Sequence, residues 1–418
     1  MSNSDSPESS RQNSAFAQPL YRLYFPYSCL STFGSWVIRF LLGWSAWDLT
    51  GSALWVGVVA AVMLVPTFVL SPVFGIVSDR INPRNGMLVT VSAHALISGV
   101  AGTAVLLGVF TLPWLVLLAT VLGAVTAAHT PIRLSLIPML VPRTALASAI
   151  GYSAITFNTS RIIGPAAGGW LVAHASTAVA YYAAMGLFVT ALPFMLRIKG
   201  LMEREPRVSA SFVDELKAGF SYARRHRGIR LIFGFTLVNG FLGRTVLELL
   251  PAVSGVLLDG DSKTLATLTS IAGAGAIVGG LIIARQGGRE ERLMNMVLGA
   301  LVLGSFCLLP IHWLRTVLAM GVIIFLLSMI TTMVGTATQA LAQLLVANEY
   351  RGRVMSLWTV LAMGGSAVGA LIMGALADIF GFPAVLAGFA FMAMVFIRML
   401  HKKRSWLLQT EQRNRQDG

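Results

Sequence analysis

The sequence predicts an all-α membrane protein with twelve transmembrane helices in two pseudo-symmetric six-helix bundles. Three observations carry that expectation. The 418 residues are 56% apolar and only 11% charged, whereas a soluble chain carries roughly 25% charged residues. Lys and Arg fall almost entirely on one side of the apolar runs. The chain also aligns with itself, without a gap, at an offset of 205 residues.

A bilayer core needs about 20 apolar residues per helix. Twelve such runs occur: 24–48, 54–77, 86–108, 113–135, 147–173 and 177–196, then 229–256, 265–284, 293–311, 314–340, 353–376 and 380–400. The bundles are therefore expected at 23–196 and 229–400, joined by a polar cytoplasmic linker at 197–228. Residues 1–22 are Ser-rich and polar with no apolar core, so they are expected to form a disordered cytoplasmic tail and not a cleavable signal. Residues 401–418 form a basic cytoplasmic tail.

Charge sets the orientation. With the N-terminus inside, inner loops and ends hold 26 of the 31 Lys and Arg, and outer loops hold Lys263 and Arg315. The other three, Arg39, Arg161 and Arg244, fall within spans. That asymmetry requires an even number of spans and both termini in the cytoplasm, with the chain multi-pass in a cell (inner) membrane.

The repeat is carried by uncommon residues. At the fixed offset Arg39 meets Arg244, Arg80 meets Arg285 and Arg84 meets Arg289, while Gly75, Gly164 and Gly169 meet Gly280, Gly369 and Gly374. Two parallel halves related by an axis along the membrane normal suit alternating access, with substrate expected near the midplane between the halves.

Other function classes find little support. The net charge of +14 sits in short clusters between spans, with no basic helix interleaved with aromatics, so no nucleic-acid partner is expected. Cys29 and Cys307 lie in apolar runs and offer no disulfide framework or metal-ligand spacing. No Gly-rich phosphate loop and no nucleophile with a nearby base is apparent. Neither an enzyme nor a cofactor is expected, and the partners are the lipid bilayer and a small-molecule substrate.

Three local features resemble the major facilitator superfamily. After the second span comes Gly75-Ile-Val-Ser-Asp79-Arg80-Ile-Asn-Pro-Arg84, similar to the superfamily's signature loop although its usual Gly-Arg-Arg ending is replaced. Gly75 permits close packing, and Asp79, Arg80 and Arg84 can form a cytoplasmic charge clamp or simply a positive inner loop. In the fifth span, Gly164-Pro165-Ala-Ala-Gly168-Gly169 is similar to the motif typical of antiporter branches. Its small residues also suit plain helix packing. The third feature is 212–226, where Phe212, Leu216 and Phe220 recur every four residues and predict an amphipathic helix at the inner surface. This stretch, with 143–169, resembles the drug:proton antiporter-3 branch that holds the enterobactin exporter and macrolide efflux pumps. The resemblance implies export, and a monomer.

Buried ions mark the candidate site, because a charge at the bilayer centre costs about 2.5–3.5 kcal/mol on insertion scales. The resemblance implies that spans 1, 4, 7 and 10 line the cavity. Arg39 shares a helical face with Thr32, Ser35 and Trp36. Arg244 and Glu248 stand four apart on the seventh span. They form either a proton-coupling pair, with substrate competing for Arg244, or a permanent ion pair that locks the helix. Arg161 lies three residues from Asn158. Thr332, Thr336, Gln339 and Gln343 form a polar stripe on the tenth span, which suits cavity lining or helix-to-helix hydrogen bonds. The positive surplus favours an acidic or oxygen-rich substrate, siderophore-, macrolide- or drug-like, with protons as the coupling ion. A lipid or lysolipid flippase and an importer of an organic anion remain the alternative readings.

Overall fold

The computed structural model describes residues 14–199, 220–285, 290–346 and 350–416, and every regular element among them is helical. In the first half these are α1 (Pro19–Thr50), α2 (Ala53–Arg80), α3 (Pro83–Leu106), α4 (Leu112–Leu140), α5 (Leu146–His174) and α6 (Thr177–Arg197). Next comes α7, assembled from Arg227–Asn239, a π-helical turn Gly240–Arg244, a single turn Thr245–Glu248 and Leu250–Leu258. Then follow α8 (Ser262–Ala284), α9 (Glu290–Leu308), α10 (Val317–Leu345), α11 (Arg351–Phe380) and α12 (Phe382–Gln416). The amphipathic helix expected at 212–226 lies outside the described residues up to 219, and 220–225 are helical.

Among the described residues, eight of these helices are long and apolar enough to cross a membrane: α3, α4, α6 and α8 to α12. Of α2, whose side chains are described only in part, Ala53–Thr67 is an apolar helix. The remaining three, α1, α5 and α7, fall short for visible reasons. The π-turn and the following breaks divide α7 into pieces. Tyr, Ser, Trp, Asn and Arg dilute α1 and α5.

Helix starts follow capping chemistry. Asn82 accepts from Arg84 N–H with Pro83 at the first helical position of α3, and Ser176 caps α6 through Val179 N–H. Asp261 caps α8 through Thr264 N–H, and Thr316 caps α10 through Ala319 N–H. The helix of α2 continues through Gly75 to Arg80, so those signature residues lie on its last turns and not in a loop. Nothing breaks the helix before Asn82-Pro83.

The chain forms two compact units. One comprises residues 1–45 and 65–208, the other 46–64 and 209–418. Within the first unit, α3 packs along α6 and α1 packs on α5. Gly164 lies against Trp36, and Gly168 against Phe40. Within the second, Gly369 lies against Phe241 and Thr245. Gly369, Phe241 and Thr245 stand 205 positions after Gly164, Trp36 and Phe40, so the contact between α1 and α5 recurs between α7 and α11. Gly275 and Gly279 bring α8 onto the α10 backbone at Phe325 and Met329, the small-xxx-small approach that membrane helices use. Large apolar side chains such as Val89, Leu96, Leu318 and Ile379 face outward, as a surface solvated by lipid requires.

Candidate functional site

In the first unit the expected residues gather where α1 meets α5. The Arg161 guanidinium lies 5.9 Å from the Trp36 ring centroid. That cation–π contact contributes about 0.5–1 kcal/mol, and more when desolvated. Phe157 meets the same indole edge-on at 5.5 Å. Close approach is possible because Gly164 puts no side chain between the helices. Beside this contact, Cys29, Leu30, Phe33, Thr156, Thr159, Ser160 and Ile163 line a cavity of about 320 Å³. Its walls are mainly apolar, and Cys29 Sγ and Thr156 Oγ1 share a 3.7 Å hydrogen bond.

Other expected members of this group turn elsewhere. Ser35 donates to Ser31 O at 2.8 Å, and Asn158 Nδ2 donates to Ala154 O at 2.8 Å, each within its own helix. Arg39 and Thr32 are half-buried. Pro165 and Gly169 are buried, which fits the packing role of this motif.

In the second unit Arg244 Nε stands 3.8 Å from Glu248 Oε1, one turn along α7. Exposure is unequal: 46% of the Arg244 side chain is accessible against 14% for Glu248. At that distance the contact is an ion pair and not a hydrogen bond. A half-exposed helix pair contributes about 0.3–0.5 kcal/mol, too little to hold a helix by itself. The pair sits at the π-turn Gly240–Arg244, where Thr245 Oγ1 donates to the Gly240 carbonyl at 3.0 Å. Such turns are frequent at functional sites. Gly240 packs against the backbone of Gly365 and Ser366, and Gly243 against Thr331.

The polar stripe on α10 is placed as its spacing requires. Thr336, Gln339 and Gln343 are exposed and Thr332 is half-buried. Its neighbours on the other face are engaged: Asn239 Nδ2 donates to Thr331 O at 3.1 Å, and Trp358 Nε1 donates to Thr338 Oγ1 at 3.4 Å.

The expected cytoplasmic clamp takes a different form at the one member whose side chain is described. Arg84 donates from Nη2 to Leu196 O at 2.7 Å and from Nε to Met195 O at 3.3 Å. It thus closes the C-terminus of α6, where a cation suits the helix dipole. The side chains of Asp79 and Arg80, and the surroundings of Gly75, lie outside the described residues.

Sequence reasoning missed one carboxylate. Asp378, near the end of α11, accepts from Ser52 Oγ, from Ala53 N–H at 2.8 Å and from Leu54 N–H at 3.1 Å. It caps α2 from another helix, more than 300 positions away in the chain. The helix N-terminus without an acid in its first turn was the only signal that such a partner was needed. Gly57 and Gly374 allow this approach by lying on the Ala370 and Ala53 carbonyls. No group of His, Cys, Asp and Glu among the described residues could hold a metal ion.

Comparison with known proteins places this architecture. Residues 10–416 match the family described as transmembrane secretion effectors. The staphyloferrin A transporter of Staphylococcus aureus is 25% identical over 86% of this chain and 90% of its own length. Macrolide efflux protein A of Streptococcus pyogenes is 24% identical over 61% of this chain and 64% of its length. Multidrug resistance protein MdtG of Escherichia coli is 22% identical over 79% and 80%. The crystal structure of a point mutant of the nucleoside transporter NupG superposes with a TM-score of 0.70 at 16% identity, covering 91% of this chain and 99% of that one. A POT family transporter bound to 5-aminolevulinic acid gives 0.70 at 12% identity, over 90% and 94%.

Proposed function

The chain belongs to the transmembrane secretion effector family of the major facilitator superfamily, and on that premise we propose that it exports a small molecule through twelve membrane spans by proton-coupled alternating access. Relatives named for macrolide efflux and multidrug resistance, and one named for a siderophore, support export of a drug-like or siderophore-like compound.

The observation that carries the coupling is the Arg244–Glu248 pair. A mostly buried carboxylate lies at the edge of ion-pair distance from a guanidinium that is still half accessible. A substrate anion that takes Arg244 draws positive charge away from Glu248, and a mostly buried carboxylate with less positive charge beside it binds a proton more readily. Substrate binding and protonation are thereby coupled across one helical turn. The π-turn supports this reading, because it gives α7 a second local geometry to move through. Arg39, Trp36 and Arg161 add positive charge and an aromatic face for an acidic, oxygen-rich substrate. Thr332, Thr336, Gln339 and Gln343 supply donors and acceptors.

Flux in proteoliposomes under an imposed pH gradient tests this function, using a panel of siderophores, macrolides and lysolipids. Gradient-driven transport of a siderophore or macrolide is expected, and Glu248→Gln should abolish it while the variant remains folded and still exchanges substrate. Undiminished gradient-driven flux in Glu248→Gln, or transport of lysolipids alone, refutes the proposal.

A further inference from the structure

The Arg244–Glu248 pair stands on a piece of α7 that is interrupted at both ends. Before it lies the π-turn Gly240–Arg244, and the single turn Thr245–Glu248 follows. The helix then breaks at Leu249, with φ −88° and ψ 9°, and restarts with Pro251 in its first turn. Pro251 has no N–H to return to the Leu247 carbonyl, so the break lacks one rung.

A π-turn closes its hydrogen bonds on the fifth residue back and so holds one residue more than an α-helical turn. A side chain records that count. Thr245 Oγ1 donates to Gly240 O, five positions earlier, at 3.0 Å. Thr236, in the regular part of the same helix, donates to Ile232 O, four positions earlier, at 2.9 Å. If Gly240–Arg244 wound as α-helix, everything beyond it would turn by about 100° and advance by about 1.5 Å. The π-turn therefore decides which way Glu248 faces.

Two seats hold the extra residue. Below the turn, Asn239 is 8% exposed and donates from Nδ2 to the Thr331 carbonyl of α10 at 3.1 Å. Its Oδ1 is enclosed and meets no hydrogen-bond partner. An amide bonded at one end and unsatisfied at the other is a weak anchor, because a buried acceptor without a donor destabilises the seated form. Above the turn, Thr245 is fully buried in the space left by Gly369 of α11, where an added Cβ would lie 2.2 Å from Thr245 Oγ1. Between their ends α10 and α11 carry no charged residue, so uncharged contacts hold the turn against them.

We propose that Arg244–Glu248 is a swivel segment and that Asn239 is the residue that positions it. With Asn239 seated, the turn is π-helical and the Glu248 side chain is mostly enclosed, 14% exposed. With Asn239 released, the turn winds as α-helix and Glu248 swings toward water. The assignment rests on the coupling read at this pair and deepens it, since it supplies the motion by which one carboxyl meets both an enclosed site and solvent.

Labelling of Glu248 by a water-soluble carbodiimide with glycine ethyl ester tests it, quantified by mass spectrometry on the full chain in phosphatidylcholine nanodiscs. Glu291, exposed at the start of α9, is the reference. Asn239→Leu should raise Glu248 labelling about fivefold, the factor that loss of one hydrogen bond implies, with Glu291 unchanged. The melting temperature should not fall, because leucine also removes the acceptor that lacks a partner. Deleting Leu242 takes out the extra residue, so the helix closes as α with Glu248 facing as before. In that shortened chain Glu248 labelling should stay at the wild-type level or below, and adding Asn239→Leu should no longer raise it.

Unchanged Glu248 labelling in Asn239→Leu overturns the proposal. So does a rise that Glu291 shares or that comes with a lower melting temperature, the marks of a merely structural bond. A rise that persists once Leu242 is deleted, or a shortened chain that does not fold, overturns it as well. Labelling needs neither substrate nor gradient, so its failure leaves the export reading to the flux assay. Failed flux with labelling as expected removes export and keeps the swivel.

Discussion

An alanine at Gly164 would place its Cβ 2.6 Å from Trp36 Cβ and 3.3 Å from that residue's carbonyl carbon. Both atoms belong to or adjoin the α1 backbone, so no rotamer change clears them. Carbon contacts relax at about 3.5–4.0 Å, so α1 and α5 must separate by about 1 Å. Overpacking of this kind costs about 1–3 kcal/mol. Parting the helices also draws Trp36 from Arg161, losing about 0.5–1 kcal/mol of cation–π attraction. Gly168→Ala is the internal control. Its Cβ meets the ring edge of Phe40 at 3.0 Å and Val37 Cγ1 at 3.6 Å, and a ring can swing. Its cost should stay below about 1 kcal/mol. Thermal unfolding of the purified protein should therefore rank wild type, then Gly168→Ala, then Gly164→Ala, with transport falling in the same order. A Gly164→Ala variant that melts with wild type, or a Gly168→Ala variant that loses as much, refutes the packing assigned to this motif.

Other substitutions separate the remaining contacts. Asp378→Ala removes the cap that α11 supplies to α2 and should lower stability by about 0.5–2 kcal/mol, whereas Asp378→Asn retains an acceptor and should lose less; melting temperatures decide. Arg84→Ala frees the Met195 and Leu196 carbonyls at a cost of about 1–2 kcal/mol, so amide exchange at Ile198, which donates to Met195 O, should accelerate. The Thr264 N–H, donating at 2.8 Å, holds the Asp261 carboxyl below the usual carboxylate range. A depressed folded value gives stability that is present above the unfolded pKa of about 3.9 and lost as pH falls through the lower folded one. Asp261→Ala should thus melt below wild type at neutral pH, with the gap closing in acid. A gap that persists below both values would contradict that cause.

The sequence made the periodic and electrostatic parts of this fold legible. Apolar runs set the helices, and a 205-residue offset paired Gly164 with Gly369 before either was seen to seat against the aromatic at its matching position. Arg244 and Glu248 were readable because four residues close one helical turn. What escaped depends on partners distant in the chain. The π-turn in α7 follows from how Gly240 and Gly243 seat against α11 and α10, and the sequence offered only the two glycines. Asp378 looked like a span-end charge because its acceptor role needs the N-terminus of α2 brought alongside. Arg84 read as part of a clamp because the α6 carbonyls it closes carry no side-chain signature.

Coupling between substrate and proton at the Arg244–Glu248 pair is measured most directly by proton uptake. The compound identified in the flux assay is added to purified protein in weakly buffered solution containing a pH-sensitive dye. Wild-type protein should change dye absorbance as substrate takes Arg244 and the protonation of Glu248 shifts, and Glu248→Gln should bind the same compound with no change. An equal signal from both proteins would contradict the coupling.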